Sequence, residues 1–142
     1  MTKMIFINLP VADLAASTAF YTALGFTKND MFSDETASSM MWSDQITFQL
    51  LTREYFQTFT SKTVGDAHGD CQLLIALSAD SREEADRLAG LAGERGGKTD
   101  PRAPMDLGFM YNRAFEDRDG YVVELVWMNP DAAMGDAVGA GA

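Results

Sequence analysis

The chain has 142 residues, 46% of them hydrophobic, and carries 21 acidic against 11 basic side chains for a formal net charge of −10. That is enough chain and apolar surface for one ordinary domain with its own core, while the acidic excess repels phosphate backbones and anionic membrane surfaces and argues against nucleic-acid or membrane partners. The single cysteine, Cys71, has no internal disulfide partner and no spaced Cys/His set for structural zinc, so a reducing, cytoplasmic setting is expected.

The first strand is expected at residues 4–9, "MIFINL". Asn8, Pro10 and Asp13 interrupt the apolar run before it reaches the length of a signal-peptide core or a membrane span. Asp13 is placed to cap a helix over "LAASTAFYTALGF", whose apolar face takes Leu14, Ala16, Phe20 and Leu24, and Gly25 stops it. Strands follow at about 26–33, 37–43 and 46–52, separated by polar turns. The order so far is β-α-β-β-β.

A connector over 53–70 starts with a helical turn and ends in Gly and Asp. The same order then recurs. "CQLLIALS" reads as a strand, and Ser81 and Glu84 stand at capping-box spacing ahead of a helix with Ala85, Leu88 and Ala92 on one face, closed by Gly96–Gly97. A loop over 98–107 leads to the strand "GFMYNRAFE", an Asp-Arg-Asp-Gly turn and the closing strand "YVVELVWM". The fold class expected is α+β, two βαβββ modules in one chain forming curved mixed sheets with outer helices. A single domain spans 1–128: module one at about 4–52, the connector 53–70, and module two at 71–128. Residues 129–142, small and poor in large apolar side chains, are expected to form a flexible tail.

Glu124 stands out because alternation puts it between Val122 and Val126 on one strand face, with Val123 and Leu125 on the other. A charge among so many apolar neighbours needs a partner. It is either a pocket carboxylate or ligand, or a structural glutamate bound to Arg113 or to backbone amides. Among large rings on expected strands, Phe6, Trp42 and Tyr111 can line a pocket or fill a core; Met110 and Tyr111 point to opposite faces, so at most one lines a cavity. His68, the only histidine, sits in the loop "GDAHGD" and reads as a solvated side chain. No Ser-His-Asp set, phosphate loop or dinucleotide fingerprint is present.

Two stretches, V-x-D-L-x-x-S-x-x-F-Y-x-x-L-G-F from Val11 to Phe26 and D-x-D-G-x-x-x-E-L from Asp117 to Leu125, together with the paired βαβββ order, resemble the vicinal oxygen chelate superfamily of glyoxalases, bleomycin-resistance proteins and extradiol dioxygenases. The resemblance covers about residues 4–128. It implies a cavity in each pair of modules, a divalent metal (zinc, nickel, manganese or iron) held by side chains of the first and last strands, and a homodimer. By that resemblance Glu124 is a metal ligand and the catalytic carboxylate, Gln49 stands where the second carboxylate belongs, Phe6 falls at one histidine position with Asn8 on the same face, and the other falls near Leu74 with Gln72 beside it. Asn8, Gln49, Gln72 and Arg113 join Phe6, Trp42 and Tyr111 as candidate ligand-binding residues.

A transition metal wants three or four imidazole, thiolate or carboxylate donors. One carboxylate among neutral amides favours a protein that binds a small organic molecule in its cavity without a tightly held metal, as resistance proteins of that family sequester drugs. The alternative is a glyoxalase-like lyase or isomerase, or an extradiol-type dioxygenase, in which an ion on Glu124 and Gln49 polarises substrate oxygens.

Overall fold

The computed structural model of the protein describes residues 2–131; the expected tail falls largely on 132–142, outside the described residues. The chain divides into two compact units, one reaching to Asp70 and including the turn Arg118–Gly120, the other made of Cys71–Asp117 and the chain from Tyr121 onward. Both are α+β, with mixed sheets and helices.

In the first unit, β1 (Ile5–Val11) leads to α1 (Leu14–Ala23), then β2 (Thr27–Lys28), a short 3-10 turn (Asp30–Phe32), β3 (Ala37–Met41), β4 (Ile46–Thr52) and α2 (Arg53–Gln57). The sheet order is β1-β4-β3-β2, parallel between β1 and β4 and antiparallel elsewhere. Asp13 caps α1, its carboxylate accepting the Ala16 N–H at 3.0 Å, and Gly25 ends it at φ +99°, where only glycine is free of strain. One sheet face meets α1. Met40, Phe48, Leu50, Phe20, Tyr21 and Phe26 are buried there, with Tyr21 edge-on to Phe20, Phe26 and Phe48 at 5.0–5.4 Å. Each such side chain withdrawn from water contributes roughly 1.5–3 kcal/mol, which makes this layer the anchor of the unit.

The second unit runs β5 (Ile75–Ser78), α3 (Arg82–Glu94), β6 (Lys98–Thr99), β7 (Met105–Asp106), β8 (Met110–Glu116) and β9 (Val122–Met128). Its sheet order is β5-β9-β8-β6, with β7 also on β8. Ser81 caps α3 as spaced, accepting the Glu84 N–H at 3.0 Å, while the Glu84 carboxylate reaches one residue past the N-cap and accepts the Asp80 N–H at 2.8 Å. Ala85, Leu88, Ala89 and Ala92 of α3 are buried with Val123, Leu125 and Phe115 of the sheet.

Three local expectations change. The run 26–33 is a strand for only two residues, because the Asn29 side chain accepts the Met31 N–H and starts a 3-10 turn instead. The strand expected from Cys71 begins at Ile75, since β9 offers ladder partners only to Ile75–Ser78; Cys71 itself is exposed. The loop 98–107 contains β6 and β7, both paired to β8.

The D-x-D-G turn has a mechanical role. Asp119 accepts the Ala12 N–H at 2.9 Å and the Ser17 hydroxyl at 3.0 Å, tying the turn to the entry of α1. Gly120 adopts φ +93°, and a Cβ there would lie 2.7 Å from Ala67 C and His68 N. Thus the two sequence stretches that carry the family resemblance touch each other. Their residues build the fold before they bear on chemistry.

Candidate functional site

Strand alternation in the first unit leaves Phe6, Asn8 and Pro10 of β1 on the face away from α1, in register with Thr47, Gln49 and Leu51 of β4. Gln49 is also in register with Ser39 of β3. The chain then enters α2, capped by Thr52, whose hydroxyl accepts the Tyr55 N–H at 3.2 Å. Tyr55 and Phe59, four residues apart, pack edge-on at 5.0 Å. Phe6, Asn8, Gln49, Leu51, Tyr55 and Phe59 line an open cavity of about 280 Å³. Arg53 steadies the following connector through the carbonyls of Val64 and Gly65 at 3.0 and 3.1 Å. Phe6 is 55% exposed and Phe59 66%, so these rings meet whatever enters the cavity.

In the second unit, Glu124 has found its partner. Arg102 lies 3.3 Å from Glu124 Oε1, donates to Asn112 Oδ1 at 2.5 Å and to the Ala103 carbonyl at 3.0 Å. Asn112 in turn reaches Glu124 Oε2 at 3.5 Å. The Glu124 side chain is 16% exposed, and an ion so far from water requires this compensation. The structural partner expected from sequence, Arg113, is therefore replaced by Arg102. Arg113 is across from Leu125 in the ladder, on the opposite face from Glu124.

On that opposite face Arg113 grips Asp100 with two bonds of 2.9 Å and Asp86 with one of 2.6 Å. Tyr111 donates to Asp86 at 2.6 Å; these partners lower the Asp86 carboxyl and raise the Tyr111 phenol and the Arg113 guanidinium. Nearby, Arg82 holds Asp106 at 2.8 and 3.0 Å and lies 4.9 Å from the Tyr111 ring and 5.0 Å from Trp127. The Asp106 carboxyl is lowered to about 2, chiefly by the bonded Arg82. The segment from Asp100 to Asp106 is thus clamped at both ends by bidentate Arg–carboxylate pairs, with Arg102 between them.

The expected site residues consequently separate. Phe6, Asn8 and Gln49 come together at the cavity. Trp42 lies on the α1 side, its ring 5.0 Å from that of Phe26. Tyr111 and Arg113 are held in the α3 network, while Gln72 and Leu74 precede β5 and are exposed. Tyr55, Phe59 and Arg102 were not singled out from sequence. The four-residue spacing of Tyr55 and Phe59 at a helical turn was a usable signal, whereas nothing local ties Arg102 to Glu124.

A divalent metal of the kind the resemblance implies was tested against the side chains at its four positions. Phe6 and Leu74 have no donor atom, Gln49 offers a neutral amide, and Glu124 faces a guanidinium. Among the described residues there is no grouping of three or more His, Cys, Asp or Glu side chains able to hold an ion. The donor set does not fit a transition metal.

Comparison with known proteins agrees on the architecture. Residues 3–40 match the family model described as bleomycin resistance protein-like N-terminal. No curated protein matches. Among solved structures, a hypothetical protein from S. aureus is 27% identical, with 89% of this chain and 94% of that one covered at a TM-score of 0.74. A glyoxalase/bleomycin resistance protein/dioxygenase family enzyme from Burkholderia phytofirmans is 18% identical, covering 89% and 99% at 0.73. The fosfomycin resistance protein FosX from Listeria monocytogenes is 19% identical, covering 96% and 98% at 0.65. The chain therefore shares the fold of these structures, and its N-terminal segment is similar to that of bleomycin resistance proteins.

Proposed function

We propose that this protein binds a small organic molecule in the cavity of its first unit, without a resident catalytic metal. One observation carries the reading: two positions where the family resemblance calls for metal ligands are filled by Phe6 and Gln49, and both line the cavity. A ring and a neutral amide are poor ion traps but ordinary components of a small-molecule site, where apolar walls supply affinity and a few polar groups set orientation. The Arg102–Glu124 pair supports the same reading, since the remaining family carboxylate is already neutralised.

A homodimer in the cytoplasm completes the proposal. Ile5 at the start of the edge strand β1 and Met4 just before it are each more than half exposed, and an apolar sheet edge favours a covering partner. The exposed thiol of Cys71 suits a reducing compartment.

A fragment screen by amide-resolved NMR on the full chain, run in EDTA, tests the function. Hits should shift the amides of Phe6, Asn8, Gln49, Tyr55 and Phe59. Hits that require added metal, or that never converge on these residues, contradict it.

A further inference from the structure

The chemistry of the cavity narrows what it can hold. Its walls are Phe6, Leu51, Tyr55 and Phe59, and its polar side-chain groups are the primary amides of Asn8 and Gln49 and the Tyr55 hydroxyl. No Asp, Glu, Lys, Arg or His is in the lining. A charged guest would find no opposite charge among the lining side chains to offset the hydration it gives up on contact, and the net charge of −10 works further against anions.

The two amides are neighbours, because Asn8 and Gln49 are cross-strand partners on β1 and β4. Gln49 spends its NH2 on a long 3.4 Å contact with the Phe32 carbonyl, which leaves its side-chain oxygen open as an acceptor. The Asn8 side chain has no hydrogen-bond partner among the described residues. A primary amide presents one acceptor and one donor side by side. It therefore closes a two-bond ring with any planar group bearing an adjacent donor and acceptor, as Asn and Gln do on the edge of adenine. Three aromatic rings in the same wall favour a flat guest by stacking or edge contact. A volume of about 280 Å³ stands at the small end of ligand pockets, the size for one or two fused rings.

We infer that the cavity takes an uncharged, planar heteroaromatic molecule through a cis-amide, lactam-type edge, with Asn8 making the paired hydrogen bonds and Phe6, Tyr55 and Phe59 contacting the rings. This rests on the cavity being the ligand site.

The probes are 2-quinolone, its N-methyl derivative and quinoline-2-carboxylate, titrated into the full chain and followed by amide-resolved NMR. 2-Quinolone should perturb Asn8, Gln49 and Tyr55. Methylation removes one of the two hydrogen bonds and strands an Asn8 acceptor, so it should weaken binding by about tenfold. The carboxylate should leave the cavity unperturbed. Asn8→Ala, which breaks no hydrogen bond within the described residues, should lower 2-quinolone affinity to that of the methylated compound. Equal binding of the two quinolones, an unaffected Asn8→Ala variant, or preferential binding of the carboxylate would overturn the lactam assignment and leave the cavity as a site. If none of the three perturbs the cavity, the lactam assignment is overturned; the metal-free fragment screen then decides the binding-site reading separately.

Discussion

Replacing Gly120 with alanine probes how the D-x-D-G turn holds the first unit together. Two costs apply. An L side chain at φ +93° enters the left-handed region, at roughly 1–2 kcal/mol. The new Cβ would also sit 2.7–2.8 Å from the backbone of Ala67 and His68, and because backbone cannot swing aside as a side-chain tip does, relieving the overlap adds about 1–3 kcal/mol. The sum is about 2–5 kcal/mol. For a chain of this size each kcal/mol shifts the midpoint by about 4 °C, so Tm should fall by about 8–20 °C. Gly25→Ala is the internal control, since Gly25 has a similar φ of +99° and nothing within 4 Å of its would-be Cβ. It should lose only the conformational part, about 1–2 kcal/mol. Differential scanning calorimetry on both variants separates the contributions. Equal losses in the two would refute the packing of the turn on residues 67 and 68.

Removing the Asp119 carboxylate by Asp119→Ala should cost about 1–3 kcal/mol, because the Ala12 N–H and Ser17 hydroxyl both lose their acceptor; urea titration with an unchanged m-value is the check. Arg102→Ala should destabilise by about 1–3 kcal/mol, below the loss for a fully buried pair because Arg102 is 32% exposed. A double-mutant cycle with Glu124→Gln should show coupling, and strict additivity would mean the pair is not formed in solution. The Arg82–Asp106 pair predicts an acid effect. Asp106 is depressed from 3.8 to about 2, so its contribution is complete above the unfolded value and is lost as pH falls from about 4 through about 2. Tm of the wild type should consequently drop more steeply over that interval than Tm of Arg82→Ala, and parallel curves would count against the linkage.

The outline of both modules was readable from local signals. Asp13 and Ser81 are caps whose hydrogen bonds form as spaced, Gly25 ends its helix, and the ladders of the long strands follow their hydrophobic runs. Short elements were not readable: β6 and β7 are two residues each and exist only because β8 is alongside. The site divides in the same way. Alternation puts Asn8 on the face of Phe6, and the ladder sets it beside Gln49, whereas Arg113, one of the partners expected for Glu124, lies on the other face of its strand. Ladder register puts Arg113 opposite Leu125, and register depends on pairing that no single strand encodes. Arg102 reaches Glu124 only because two ion pairs fix the segment that carries it.

Metal occupancy of the purified protein tests the central claim most directly. Elemental analysis should find far less than one zinc, nickel, manganese or iron per chain, and none of these ions should move Tm. About one metal per chain, with a Tm rise of the size expected from RT ln(1 + [L]/Kd) that disappears in Glu124→Ala, would contradict the account.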